Sequence, residues 1–199
     1  MGCLKNIFMS ILITLAVVGF VSLGGGKLVG GYVNNFLNPP QDELMKRAEK
    51  VGDFSNISDE FELERAAGIM GYNGVVAEHK ASGQKMVVVD EQAKPLLTKQ
   101  DINSDKVEEK LINLTKKVKY QTLQVDELKI TKRGTLKSFG KDANYVKFEA
   151  KAKKLPIGEI AGIISVAENK NGEQRLLISV NEKKKYSQLI SDEFFKEVK

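Results

Sequence analysis

The feature that most constrains this chain is an uncharged, largely apolar run from Ile7 to Gly26. A helix of such a length can cross the hydrocarbon core of a bilayer. A secretory signal has a shorter apolar region, and Ser22, Leu23 and Gly24 match a cleavage site only weakly. The run therefore favours a retained membrane anchor, with a cleaved signal peptide as the alternative.

The anchor divides the chain into three predicted parts. Residues 1–30 form the membrane anchor, residues 31–56 form a juxtamembrane linker with one short helix, and residues 57–199 form a globular domain. The short helix is predicted because Pro40 suits a first turn and Gly52 suits a helix end. The length of the third part matches the commonest domain size, so one domain is expected there.

The predicted location is a single pass through a membrane, with the C-terminal domain outside the cytoplasm. Lys5 and Lys27 flank the apolar run, and their charges do not decide the orientation. The short tail before the run is typical of an uncleaved signal-anchor, which leaves the N-terminus in the cytoplasm. The lipid bilayer is then a predicted partner through residues 7–26.

Cys3 is the only cysteine of the chain. A single cysteine cannot form an intramolecular disulfide, a redox pair or a thiolate zinc site. It precedes the apolar run, whereas a bacterial lipoprotein cysteine follows it, and the myristoylation pattern fails at Asn6. Palmitoylation of Cys3 stays open.

The pattern of residues 57–199 predicts both strands and helices. Two strand-like runs, YNGVVAEHK and QKMVVVDE, flank a tight turn at Ser82 and Gly83. The stretch NSDKVEEKLINLTKKVK has apolar residues at helical spacing, and four later runs are typical of strands before a closing helix. The predicted fold class is therefore α+β: an N-terminal transmembrane helix followed by one domain with a mainly antiparallel sheet covered by helices.

The strongest hairpin signal is Asn171 followed by Gly172. With these two residues as the turn, the predicted register pairs Glu168 with Arg175, Val166 with Leu177 and Ile163 with Val180. Apolar residues on both faces of these strands predict a sheet that is covered on both sides. The closing helix offers five side chains for part of this cover: Tyr186, Leu189, Ile190, Phe194 and Val198.

The order of these elements resembles the PsbP-like fold over residues 61–198. The resemblance is carried by a hairpin, a helix, the aromatic strand Tyr145–Ala152, the hairpin Ile163–Asn181 and a final helix with Phe194 and Phe195. It implies a compact accessory or interaction domain outside the cytoplasm, with no catalytic residues to carry over. The membrane anchor departs from the cleaved or lipidated leader that is usual for that fold.

The sequence predicts no catalytic residue, no cofactor-binding residue and no metal ligand. His79 is the only histidine. In the predicted hairpin it faces Met86, and the carboxylates of Asp90 and Glu91 lie several residues away, so none orients it or shares a metal with it. His79 is interpreted as a surface or edge residue of a strand.

The net charge of +5 comes largely from lysine clusters at residues 116–119, 151–154 and 182–185. Lysine predominates over arginine, and no aromatic residues are interleaved with it, which argues against a nucleic-acid partner. The clusters predict a lysine-rich soluble surface, or contact with anionic lipid headgroups that an anchor would bring near.

Two function classes follow from these features. The first is a membrane-anchored, extracytoplasmic, non-enzymatic accessory or binding domain with an unidentified protein partner. The second is an envelope enzyme or small-ligand-binding protein with a site assembled from dispersed side chains, or a secreted domain with a cleaved signal. A deep pocket with convergent polar groups would favour the second class, and a flat or open surface the first.

Overall fold

The computed structural model of the chain describes residues 40–69, 72–91, 95–116, 124–153 and 159–199. Within these ranges the chain forms α1 (Gln41–Ala48), β1 (Phe61–Ile69), β2 (Tyr72–His79), β3 (Gln84–Glu91), α2 (Lys99–Asn103), α3 (Val107–Lys116), β4 (Gln124–Ser138), β5 (Lys141–Lys153), β6 (Glu159–Glu168), β7 (Gln174–Glu182) and α4 (Gln188–Glu197).

The seven strands form one antiparallel sheet in the order β1-β2-β3-β7-β6-β5-β4. Every neighbouring pair except β3 and β7 is adjacent in the chain as well as in the sheet. The sheet therefore consists of two meanders, β1–β3 and β4–β7. The pairing of β3 with β7, which we name the β3–β7 joint, connects them.

Apolar side chains are buried on both sides of the sheet, and successive side chains of each strand point to opposite sides. The front face carries Val88 and Leu177 and is packed with side chains of α1 and α4. The back face carries Val87 and Ile178 and is packed with side chains of α2 and α3. Continuous apolar runs such as residues 86–89 are typical of strands covered on both sides.

Local sequence signals favour helices α1 and α2. Thr98 caps α2 in a capping box with Asp101, whose backbone N–H donates to the Thr98 hydroxyl. Helix α1 has acidic residues in its first turn and basic residues in its last turn, as the helix dipole favours. Its buried side chains are Leu44 and Ala48, one turn apart on the face toward the sheet.

The predicted fold class is wrong in the balance of its elements. The chain does contain both helices and a mainly antiparallel sheet, but the sheet dominates and the described helices are few and only five to ten residues long. Within the described ranges, every helix is too short or too polar to span a bilayer. The segment predicted as a transmembrane helix, residues 7–26, lies outside the described residues.

The β6–β7 hairpin exists, but its predicted register is wrong by one residue. Val166 pairs with Leu176 rather than Leu177, and Ile163 pairs with Ser179 rather than Val180. The cause is a longer loop: only Gly172 has a positive φ, of 80°, and three residues separate Asn169 from its partner Glu173.

The predicted ion pair of this hairpin is also wrong. Glu168 lies opposite Gln174, and its carboxylate binds the Lys99 ammonium of α2 at 2.8 Å. Arg175 lies opposite Ala167 and instead binds Asp90 across the β3–β7 joint. The one-residue shift is sufficient to place the two predicted partners on opposite faces.

The two-residue turn with two positive φ angles lies between β4 and β5. Ser138 pairs with Lys141, and the intervening Phe139 and Gly140 have φ of 52° and 74°. A left-handed phenylalanine is strained, but the ring of Phe139 is buried in the front-face core and its N–H donates to the Val198 carbonyl. Tertiary packing therefore selects this turn.

The closing helix contributes to the core in a different way from that predicted. Phe194, Phe195 and Val198 are buried, whereas Leu189 is 78% exposed. The rings of Phe194 and Phe195 meet edge to face with centroids 5.4 Å apart. The helix is thus anchored by its C-terminal half.

The front-face core also includes side chains that precede residue 57. Leu44, Ala48, Val51 and Phe54 are buried with the apolar side chains of the sheet. The short helix that was predicted to be part of a linker therefore packs on the domain.

Replacing Leu44 with alanine should lower the free energy of unfolding by about 2–4 kcal/mol, because it leaves a cavity between α1 and β1. Replacing the exposed Lys46 of the same helix with alanine should change it by less than about 0.5 kcal/mol. Urea unfolding of the full chain measures both. Similar small effects would mean that α1 is not part of the cooperative unit.

Candidate functional site

Four chain segments meet in an open cleft of about 340 Å³ at one end of the sheet. The cleft is lined by the chain after α1, the β4–β5 turn, the β6–β7 loop with the start of β7, and the last residue of the chain. Its residues are Glu49, Lys50, Val51, Gly52, Asp53, Phe139, Asn169, Lys170, Asn171, Glu173, Arg175 and Lys199. We name it the loop-end cleft.

Arg175 connects the walls of this cleft. Its side chain is 5% exposed, and its Nε donates to the Val51 carbonyl at 3.0 Å. Its Nη1 lies 2.9 Å from the Asp90 carboxylate, and its Nη2 lies 2.8 Å from that of Glu173. A planar guanidinium can satisfy several acceptors at fixed angles, so Arg175 fixes the segment after α1 against the β6–β7 loop.

The β6–β7 loop is held by its own hydrogen bonds. The side-chain oxygen of Asn169 accepts from the backbone N–H groups of Asn171 at 2.9 Å and Glu173 at 3.0 Å. Gly172 supplies the left-handed conformation that the loop requires. This wall of the cleft is therefore preformed.

The opposite wall is closed by a backbone pair between Asp53 and Lys199. The N–H of Asp53 donates to the Lys199 carbonyl at 2.5 Å, and the N–H of Lys199 donates to the Asp53 carbonyl at 3.0 Å. Hydrogen bonds from Ser55 lower the pKa of the Asp53 carboxyl, with a further contribution from the charges of Lys199 and Lys170. The carboxylate of Asp53 thus lies in the positive field of these two lysines.

Charges of both signs line the loop-end cleft. Lys50, Lys170 and Lys199 are exposed and form no ion pair within the described ranges. Glu49 and Asp53 supply exposed carboxylates, while the carboxylate of Glu173 is bound by Arg175 and Asn169. The cleft can therefore bind a polar group through ion pairs and hydrogen bonds.

His79 does not lie where the sequence placed it. It pairs with Gln84 rather than Met86, because the β2–β3 loop has four residues instead of two. Its side chain is 11% exposed and packs against the Phe61 ring, so the prediction of a surface histidine is wrong. A carboxylate from outside the predicted hairpin, that of Glu60, lies 3.5 Å from Nε2.

Ser82, His79 and Glu60 form a sequence of contacts that resembles a catalytic triad in residue type. The hydroxyl of Ser82 lies 2.9 Å from His79 Nδ1. However, the Ser82 N–H also points to Nδ1, the Gln84 N–H donates to the Ser82 hydroxyl, and the carboxylate of Glu60 is largely exposed. These are the local hydrogen bonds of a turn, so His79 stabilises the β2–β3 loop.

Lys85 is the buried lysine that the sequence did not distinguish. Its ammonium is enclosed by the carboxylates of Glu78, directly opposite on β2, and Glu64 on β1 at 2.6 Å. An irregularity of β1 between Leu63 and Arg65 directs Glu64 toward β3. The cluster links β1, β2 and β3 at one end.

Across the described ranges, no three His, Cys, Asp or Glu residues are placed to hold a metal ion.

Glu91 is the acidic residue with the most perturbed environment. Burial at the end of β3 and, to a smaller extent, the charge of Asp90 raise its pKa to about 7. The N–H of Leu96 donates to both carboxylate oxygens at 3.2 Å and, with Lys110, opposes this rise. Burial and the charge of Glu91 also raise the pKa of the neighbouring Tyr72. Glu91 thus links the end of β3 to Leu96, which precedes α2.

Replacing Glu91 with glutamine should remove a pH dependence of stability. Because the folded state raises the pKa of Glu91, the protonated form stabilises the fold. That contribution is complete below the unfolded pKa of about 4.5 and is lost as the pH rises through about 7. Urea unfolding at pH 4 and at pH 8 measures how far the free energy of unfolding falls between them. This fall should be smaller for the variant than for the unmodified chain by up to about 3 kcal/mol.

The control for this experiment is Glu62→Gln, at an exposed position of β1. The control should keep the pH dependence of the unmodified chain. Equal pH dependence in the Glu91 variant and the unmodified chain would contradict the assignment.

No model of a known protein family matches this chain, and no curated protein matches it significantly.

Proposed function

We propose that this chain is a non-enzymatic binding domain whose binding site is the loop-end cleft. The observation that carries the proposal is that preformed loops converge on an open cleft lined by charges of both signs. Polar groups converging on a preformed surface are typical of recognition sites. Most of the lining side chains are exposed, which suits contact with a larger partner better than enclosed chemistry.

The partner that fits this cleft is a polar protein segment carrying both acidic and basic groups. Lys50 and Lys170 would bind its carboxylates, and Asp53 would bind its ammonium or guanidinium group. Arg175 and Asn169 hold the walls in place rather than contact the partner, because their polar groups are already engaged.

The proposed place of action is a membrane surface outside the cytoplasm. This part rests on the uncharged run from Ile7 to Gly26, through which the chain would bind the bilayer. The relation to the PsbP-like fold belongs to the same proposal and rests on the order of elements.

The proposal is tested with short peptides that carry acidic side chains, basic side chains or both. Peptides with both charges should shift the NMR signals of the Gly52 and Asn171 amides. Replacing Lys50 and Lys170 together with glutamate should weaken this binding at least about tenfold, since two favourable charges become repulsive.

The matched control reverses two lysines on exposed helix surfaces, Lys46→Glu and Lys196→Glu. This control should bind as the unmodified chain does. Signals that shift at other sites, or equal binding by the two double variants, would contradict the assignment of the cleft.

A further inference from the structure

The β4–β5 ribbon carries most of the net charge of the chain. Residues 124–153 contain eight lysine or arginine residues and four aspartate or glutamate residues, while the net charge of the whole chain is +5. The predicted lysine cluster at 182–185 contributes less, because Lys183 binds Glu149 and Glu159, and Lys185 binds Glu182. The cluster at 116–119 falls largely outside the described residues.

The strand register places four lysines of this ribbon on one face. Lys129 lies opposite Glu149, Lys132 opposite Lys147, and Glu127 opposite Lys151. Directly opposed residues of antiparallel strands project to the same side. A bulge between Ile130 and Lys132 keeps Lys129 and Lys132 on that side although they are three residues apart. We name Lys129, Lys132, Lys147 and Lys151 the lysine face.

Two acidic residues beside this face are engaged by Lys183, while Glu127 lies on the face opposite Lys151. Lys183 binds the carboxylate of Glu149 at 2.8 Å and that of Glu159 at 2.9 Å. Within the described part of the chain, no residue of the lysine face forms an ion pair at 4 Å or less. Lys147 lies over the Tyr186 ring, 5.1 Å from its centroid. Lys129, Lys132 and Lys151 are exposed, so three ammonium groups of the face are open to an external partner.

Lys132 and Lys147 make this arrangement costly in isolation. Like charges directly opposite each other in a sheet destabilise it. The Tyr186 ring offsets part of this cost on the side of Lys147. An anion bound near Lys132 would offset the remainder.

We propose that the lysine face docks on anionic lipid headgroups. This proposal rests on the membrane location in the proposed function. It adds a second contact with the bilayer to that of residues 7–26. A sheet face with lysines spread over two strands matches many separate phosphate groups in a plane. Lysine binds as a point charge without the bidentate geometry that arginine uses in nucleic-acid recognition, so lipid fits better than nucleic acid.

The experiment measures partitioning of the full chain into vesicles of phosphatidylcholine alone and of phosphatidylcholine mixed with phosphatidylserine. The ratio of the two partition coefficients isolates the headgroup contribution, because residues 7–26 contribute similarly to both. The variant replaces Lys129, Lys132 and Lys151 with glutamine and leaves Lys147 on Tyr186. Its ratio should fall about tenfold to a hundredfold, and added salt should lower the ratio of the unmodified chain.

The matched control replaces three exposed lysines outside the ribbon, Lys46, Lys106 and Lys196, with glutamine. It removes the same charge and should keep the ratio near that of the unmodified chain. Equal losses in both variants would show that net charge alone acts and would overturn the proposal. No preference for phosphatidylserine, or tighter binding of an oligonucleotide duplex through the same lysines, would also overturn it.

Failure of this proposal can be separated from failure of the membrane location. Weak partitioning into phosphatidylcholine alone would contradict the membrane location, because residues 7–26 would then not bind a bilayer. The ratio would still report the lysine face, because it depends on the added anionic headgroup.

Discussion

The pairing of β3 with β7 is the contact on which the rest of the structure depends. Six residue pairs connect two meanders that are separate in the chain, and apolar side chains such as Val88 and Leu177 occupy its middle. At one end of its front face, Arg175 binds Asp90. At the other end, buried Gln84 donates to the hydroxyls of Ser179 on β7 and Ser191 on α4. The two helices of the front face are thereby positioned from one joint.

This arrangement relates the polar interior to the candidate function. A buried ion pair contributes little net stability, because desolvation offsets much of the attraction, but it fixes geometry. Arg175 fixes Val51 and Glu173 and so shapes the loop-end cleft. The lysine face lies on the β4–β5 ribbon, at the edge of the sheet farthest from β1. The β3–β7 joint thus shapes the loop-end cleft through Arg175, whereas the lysine face lies two strands away from β7.

The sequence was informative where structure is local and less so where tertiary packing decides. The β6–β7 hairpin was predictable, but its register was not. The side-chain oxygen of Asn169 accepts hydrogen bonds from the Asn171 and Glu173 N–H groups and so stabilises a longer loop. No local sequence signal predicts the left-handed conformation of Phe139, since packing of its ring in the core offsets the strain. The lysine cluster at 151–154 was visible in the sequence, whereas the bulge that aligns Lys129 with Lys132 was not. The loop-end cleft could not be predicted, because its walls are distant in the chain.

Native-state hydrogen exchange of the full chain tests the role of the β3–β7 joint most directly. If the joint makes the two meanders one cooperative unit, the amides of Val88 and Ile178 should exchange with the same free energy as that of Ile164, inside the second meander. All three should then exchange only through global unfolding. A markedly lower free energy for Val88, with Ile164 still protected, would show that the meanders open separately and would contradict the central place given to the joint.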